Sequence, residues 1–167
     1  MIIMGFPGIG KSTYARSEYG RGNCIDLESS CFNKDNVKWY EDYCRTAIDL
    51  ANQGYDVFTS THNSVFNFLV YNANNIKGGL GVIYPAGALK DKWLERLESR
   101  YKLTNKEKDL RALTYMKNNY DAAVNHLNTA LIMAEESSKP IYSYTIQDIY
   151  YDLQEAFDVF DMKRGVL

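Results

Sequence analysis

A glycine-rich turn near the start constrains this chain more than any other segment. Residues 5–12 read GFPGIGKS and fit the pattern G-x-x-x-x-G-K-[ST], and the four residues before them are apolar. The apolar run predicts a buried parallel strand, and the residues that continue to Tyr19 predict a helix after the turn. In that context backbone N–H groups point at phosphate oxygens, the lysine reaches the β- and γ-phosphates, and the hydroxyl ligates Mg²⁺. We therefore expect a nucleotide-binding phosphate loop formed by Gly5, Gly8, Ile9, Gly10, Lys11, Ser12 and Thr13.

Patterns typical of strands and of helices alternate along the rest of the chain. Short apolar or β-branched runs predict further strands over residues 23–27, 55–60, 80–84 and 141–145. Strands that alternate with helices favour an α/β fold with a parallel sheet covered on both faces. No segment is long enough for a second domain, so we expect residues 1–167 to form a single one. Helices are predicted to start at an N-cap on Asp35, at Thr61, near Leu89, at a capping box of Thr104 and Glu107, and near Ile149.

Charge and composition narrow the class of partner. The 21 acidic and 19 basic residues leave a net charge of −2, whereas proteins that wrap duplex nucleic acid usually carry a basic excess. A nucleic-acid partner is therefore not favoured, although the net charge does not exclude a local basic patch. The three cysteines fit no zinc-binding spacing. No apolar run approaches a membrane span, and the N-terminus lacks the basic segment of a secretory signal, so we expect a cytoplasmic protein without a membrane partner.

Two acids follow the second predicted strand. Asp26 and Glu28 alternate on that strand and so point to the same side, at the carboxyl end where open α/β sheets bind ligands. Such acids can orient a substrate hydroxyl or hold a metal-bound water; the alternative is a pair of solvated acids that cap a turn. The third strand ends in Thr59 and Ser60 without an acid. A hydrolysing ATPase needs a residue there to order the metal and the attacking water, so the absence disfavours that class. It also makes Asp26 more important as the acid of the site.

The sequence resembles the P-loop kinases, meaning the small nucleotide kinases together with shikimate- and gluconate-kinase-like enzymes. The resemblance rests on GFPGIGKST at 5–13, on IDLESS at 25–30, and on an arginine-bearing helix after the fourth strand. It implies a three-layer αβα fold with a five-stranded parallel sheet of order 2-3-1-4-5. It also implies ATP over the phosphate loop, a second substrate between strands 2 and 3, and a lid around residues 86–104.

Roles for single residues follow from that resemblance. Asp26 would lie near the metal together with Ser12, and Glu28 with Ser29 near the acceptor. Thr61 and His62 end the third strand and face the same site; the alternative for His62 is an ordinary residue at a helix start. Lys92, Arg96 and Arg100 share one helical face, on which Arg96, ahead of Arg100, would neutralise the phosphoryl group in transfer. The alternative is a solvated face paired with Glu95 and Glu98.

These features lead to one expected function with two rivals. We expect a phosphotransferase that depends on ATP and Mg²⁺ and acts on a small acceptor, either a nucleoside monophosphate or a nucleoside. A polynucleotide or modified-base kinase and a nucleotide-binding regulatory module remain open. The sequence identifies neither the acceptor nor the oligomeric state.

Overall fold

A parallel sheet of five strands forms the middle layer of the molecule. The computed structural model describes residues 1–20 and 22–165. Its strands are β1 (Ile2–Gly5), β2 (Cys24–Asp26), β3 (Asp56–Thr59), β4 (Leu80–Pro85) and β5 (Ile141–Ile146). They lie side by side in the order β2-β3-β1-β4-β5, and every pairing is parallel. The predicted α/β class and strand order are confirmed.

Helices cover both faces of this sheet. Within the described residues they are α1 (Lys11–Arg16), α2 (Trp39–Asn52), α3 (Asn63–Tyr71), α4 (Lys90–Thr104), α5 (Glu107–Glu136) and α6 (Leu153–Arg164). Phe58 of β3 packs against Tyr14 of α1 and Phe157 of α6. Phe6, just past β1, instead packs against Trp93 of α4 and Tyr120 of α5. The result is a three-layer αβα arrangement.

The central strands are buried on both faces. All residues of β1 and β4 are buried, and both strands read as nearly continuous apolar runs, as strands sandwiched between helices do. The edge strand β2 is only half-buried along its length. The core therefore runs on both sides of β1 and β4, directly beneath the phosphate loop that leaves β1.

The predicted start of α2 is wrong. The helix begins at Trp39 rather than after an N-cap on Asp35. The side-chain oxygens of Asn33 and Asn36 accept hydrogen bonds from the backbone N–H groups of Asp35 and Lys38, at 3.0 Å each. Such local side-chain bonds compete with the helix and keep this segment in turns.

Three other helix boundaries also differ from the prediction. Thr61 does not cap α3, whose N-cap is His62, and the first residue of α6 is Leu153, so Ile149 lies before it. The capping box of Thr104 and Glu107 does not form, because Thr104 is the last residue of α4 and its hydroxyl hydrogen-bonds Asp109 at 2.5 Å. Glu107 pairs instead with Arg111.

The order of the strands creates a crevice at their carboxyl ends. β1 and β3 are neighbours, yet the chain leaves β1 toward β2 and leaves β3 toward β4, in opposite directions across the sheet. Open α/β sheets bind ligands at such a switch point. No helix among the described residues combines the length and apolar character needed to cross a membrane.

Candidate active site

The phosphate loop joins β1 to α1 through two glycines in the left-handed region. Gly8 has φ 92° and Gly10 has φ 95°, values that residues with a Cβ rarely adopt. A Cβ on Gly8 would also lie 2.9 Å from Cδ2 of Leu97 in α4. Glycine is therefore favoured at both positions by the turn, and at position 8 also by the close approach of α4.

The outer side of this loop is held by hydrogen bonds to three successive carbonyls. The indole N–H of Trp93 donates to Pro7 O at 2.8 Å, and Arg96 Nε donates to Gly8 O at 3.1 Å. The hydroxyl of Tyr151, in the segment between β5 and α6, donates to Ile9 O at 2.7 Å. These bonds fix the backbone of the loop from α4 and from the β5–α6 segment.

Arg96 lies in an aromatic slot beside the loop. Its guanidinium carbon is 5.6 Å from the ring centre of Trp93 and 5.3 Å from that of Tyr151. Its Nη1 also donates to Ile149 O at 3.2 Å. The structure thus shows Arg96 bracing the loop against the β5–α6 segment. The sequence had suggested Arg96 as the residue over the transferred group.

Lys11 lies with its ammonium inside the loop. Its Nζ donates to Gly5 O at 2.6 Å and to Phe6 O at 3.5 Å. Burial lowers the pKa of Lys11 to about 8; the carboxylate of Asp26 opposes this shift and the cation of Arg100 adds to it. Both hydrogen-bond partners of this ammonium among the described residues are carbonyl oxygens, so a phosphate oxygen would be a stronger partner.

Ser12 and Asp26 meet next to Lys11. The Ser12 hydroxyl donates to Asp26 Oδ2, which joins the first turn of α1 to the end of β2. Both groups offer oxygen ligands, which Mg²⁺ prefers together with phosphate oxygens and waters. In the described residues no cluster of three or more His, Cys, Asp or Glu could hold a metal alone, so Ser12 and Asp26 would need the phosphates of a nucleotide as further ligands.

Two ion pairs connect the end of β2, α4 and α5. Glu28 forms an ion pair of 2.7 Å with Lys108 near the start of α5, and Arg100 pairs at 2.8 Å with the buried carboxylate of Asp109. The charges of Arg100 and Lys108 lower the pKa of Lys11, and the charge of Glu28 raises it. Lys108 and Asp109 were missed from the sequence because the prediction considered only the face of α4.

The ends of β2 and β3 carry the residues that the sequence analysis predicts to contact an acceptor. Lys34 Nζ lies 3.4 Å from the Ser29 hydroxyl and 4.8 Å from the ring centre of Trp39. The Trp39 ring in turn meets His62 edge-on at 6.0 Å. Desolvation and the cations of Lys34 and Lys11 lower the pKa of His62, although part of this residue is exposed. Lys34 and Trp39 were not among the predicted site residues, and Thr61 lies half-buried next to His62 in the chain.

A cavity of about 320 Å³ opens on the other side of the loop, beside Arg96. Its volume falls at the small end of the range for small-molecule sites, and it is continuous with the first turn of α1. A larger groove of about 530 Å³ runs along α2 and α3 and contains none of the predicted site residues. The smaller cavity is lined by Ile9, Gly10, Thr13, Tyr14, Tyr151 and Leu153, among others.

Neither a protein-family model nor a curated protein sequence matches this chain.

Proposed function

We propose that this protein is a P-loop kinase that transfers a phosphoryl group from ATP, with Mg²⁺, to a small acceptor. The observation that supports this most is the hydrogen bond between Ser12 of the phosphate loop and Asp26 of β2, next to Lys11. It supports the proposal because it brings two oxygen-bearing side chains together beside the Lys11 ammonium, where they would bind a metal and the lysine a phosphate. Phosphoryl transfer needs mainly such positioning and charge stabilisation.

The nucleotide would span the loop and the cavity beside it. Lys11 and the loop N–H groups would bind the phosphates, and the cavity bounded by Tyr151 would take the nucleoside. Mg²⁺ held by Ser12 and Asp26 would supply charge neutralisation of the phosphates. Arg96, which hydrogen-bonds the loop, would keep the phosphate loop and the nucleoside cavity in a fixed relative position.

Arg100 and Lys108 are the residues we assign to the transferred group. Both lie close enough to Lys11 to act on its pKa, and each is now paired with a carboxylate. Cations that converge on a phosphoryl group stabilise the charge that develops on its oxygens. Since Lys108 is paired with Glu28, an acceptor bound at Glu28 would release Lys108 for the phosphoryl group during its transfer.

The acceptor would enter between β2 and β3, and we propose a nucleoside monophosphate or a nucleoside. Glu28 can only accept hydrogen bonds when ionised, so it suits an acceptor hydroxyl or exocyclic amine. Trp39 offers an aromatic face and Lys34 a cation that could move to an anionic group of the acceptor. A hydrolytic ATPase is less well supported, because β3 ends without an acid that could order the attacking water.

Thermal unfolding with and without nucleotide tests this proposal. At a concentration a hundred times Kd, a ligand stabilises the folded state by about 2.7 kcal/mol, which for a chain of this size raises Tm by about 5–10 °C. We expect this shift for ATP with Mg²⁺ in the wild type and its loss in Lys11→Ala. Absence of a shift with any nucleoside triphosphate at millimolar concentration would contradict the proposal.

A further inference from the structure

The ends of β2 and β3 are joined through the hydroxyl of a buried tyrosine. Leu27 N donates to Phe58 O at 3.1 Å, and in a regular parallel ladder Leu27 O would next accept a hydrogen bond from Ser60 N. Instead, Ser60 N donates to the Tyr43 hydroxyl at 3.1 Å, and that hydroxyl donates to Leu27 O at 2.9 Å. A hydroxyl can accept and donate at once, so both backbone groups are paired without a direct bond between the strands.

The inserted hydroxyl widens the space between the two strand ends. With bonds of 2.9 and 3.1 Å and a roughly tetrahedral angle at the hydroxyl oxygen, Leu27 O and Ser60 N are about 5 Å apart. A direct hydrogen bond would bring the same two atoms to about 2.9 Å. The strands therefore end about 2 Å farther apart than they would in a continued ladder.

The residues that follow these strand ends are the ones expected to meet an acceptor. Glu28 comes directly after Leu27. On the other strand, His62 comes two residues after Ser60. The spacing of the two strand ends therefore sets the width of the cleft between Glu28 and His62.

The ring of Tyr43 supports the same side of the site. Tyr43 is completely buried, and Phe32 packs against its ring edge-on at 5.1 Å. The Tyr43 ring lies 5.9 Å from that of Trp39, one turn earlier in α2. Trp39 in turn meets His62 edge-on and carries Lys34 over its ring. One side chain thus fixes both the backbone spacing and the aromatic wall of the cleft.

We propose that Tyr43 is a positioning residue for the acceptor, whose hydroxyl keeps the cleft between β2 and β3 wide enough for a nucleoside monophosphate or a nucleoside. This inference rests on the proposed function. Because Tyr43 is completely buried, it would act through Glu28, Trp39 and His62 rather than by touching the acceptor. Its two hydrogen-bond partners lie outside the phosphate loop, so nucleotide binding should not depend on it.

Steady-state kinetics of Tyr43→Phe test this inference, with γ-labelled ATP as donor and AMP, GMP, CMP, UMP and their nucleosides as acceptors. Without the hydroxyl, Leu27 O and Ser60 N can bond directly and narrow the cleft. The KM for the acceptor that the wild type uses should rise about tenfold. The kcat and the Kd for a nonhydrolysable ATP analogue should stay within about twofold. Trp39→Leu, at a half-buried position, should raise the same KM and decides the question if Tyr43→Phe does not fold.

Tyr84→Phe is the matched control. It removes another buried tyrosine hydroxyl, which joins β4 to α5 by donating to Asn128 Oδ1 at 2.7 Å. Loss of either hydroxyl should lower the Tm of the ligand-free protein, because each makes a hydrogen bond in the folded state. Only Tyr43→Phe should change the KM for the acceptor.

The possible results separate this inference from the proposed function. A wild-type KM in Tyr43→Phe, or in Trp39→Leu where the first variant does not fold, would overturn the inference and leave the proposed function in place. Equal changes of KM in Tyr43→Phe and Tyr84→Phe, or a parallel loss of affinity for the ATP analogue, would show that the hydroxyl only stabilises the fold, which also overturns it. A wild type that labels none of these acceptors would contradict the proposed function itself.

Discussion

The pKa of Lys11 makes nucleotide affinity depend on pH in a defined window. Without ligand, burial lowers this pKa to about 8, so raising the pH through 8 removes the charge that a phosphate needs. At pH 9 only about a tenth of the lysines remain protonated, which should weaken binding about tenfold relative to pH 7, or about 1.4 kcal/mol. The phosphate groups of the nucleotide are already ionised in this range. The pKa values of Tyr14 and Tyr151 are about 12. None of these groups therefore contributes to the change in affinity between pH 7 and pH 9.

The stability of the ligand-free protein should change in the opposite direction. Between pH 8 and 10.5 the unfolded chain binds more protons at Lys11 than the folded chain does, so this residue's contribution to the free energy of unfolding rises with pH. Affinity falls while stability rises, which separates a Lys11 effect from general alkaline unfolding.

Isothermal titration with a nonhydrolysable ATP analogue from pH 6.5 to 9.5 measures this dependence. In buffers of different ionisation enthalpy, the wild type should take up close to one proton on binding at pH 9. Lys11→Arg keeps its charge throughout this range and should show a flat profile with no proton uptake. A wild-type profile as flat as that of Lys11→Arg would refute the reasoning, since Lys11 would then be charged before the nucleotide binds.

Three further substitutions test other parts of the site. Gly8→Ala, at φ 92° and against Leu97, should abolish nucleotide binding and cost about 1–2 kcal/mol of stability, measured by titration and urea unfolding. Asp109→Asn removes the buried partner of Arg100 and should lower the free energy of unfolding by about 1–3 kcal/mol, also measured with urea. Glu28→Gln should raise the KM for the acceptor in steady-state kinetics while the Kd for ATP stays within about twofold, because Glu28 contacts Lys108 rather than the loop.

Each of these variants has a matched control or a contrary result. Gly87→Ala adds a Cβ with no atom within 4 Å and should bind nucleotide normally; equal behaviour of Gly8→Ala would contradict the loop geometry. Asp91→Asn alters an exposed carboxylate and should leave urea unfolding unchanged, so an equally small effect of Asp109→Asn would show that its pair contributes little. A rise of more than about twofold in the Kd for ATP in Glu28→Gln would show that Glu28 contributes to nucleotide binding.

The fold could be predicted because its signals are local. The apolar runs of β1 and β4 and the glycines of residues 5–12 specify strands and loop without distant contacts. The prediction of where α2 starts was wrong because hydrogen bonds to the side chains of Asn33 and Asn36 compete with the helix. The helical spacing of apolar residues does not reveal this competition.

The site was only partly predictable, because several of its contacts join distant segments. The resemblance to P-loop kinases predicts Asp26 near the metal together with Ser12, but the salt bridge from Glu28 to Lys108 spans 80 positions of sequence. The contacts of Arg96 also join distant segments, because its position depends on Tyr151 and on the carbonyl of Gly8. A cation on a helix face gives no sign of which carbonyls or carboxylates it will meet.

Transfer of the γ-phosphate tests the central claim most directly. Incubation with γ-labelled ATP and Mg²⁺ over a panel of nucleosides, nucleoside monophosphates, small hydroxyl compounds and oligonucleotides shows where the label goes. We predict Mg²⁺-dependent labelling of one small acceptor by the wild type and none by Lys11→Ala, which should remain folded because Lys11, the first residue of α1, does not belong to the apolar core. Nucleotide binding without transfer to any acceptor, or labelling of oligonucleotides alone, would contradict this account.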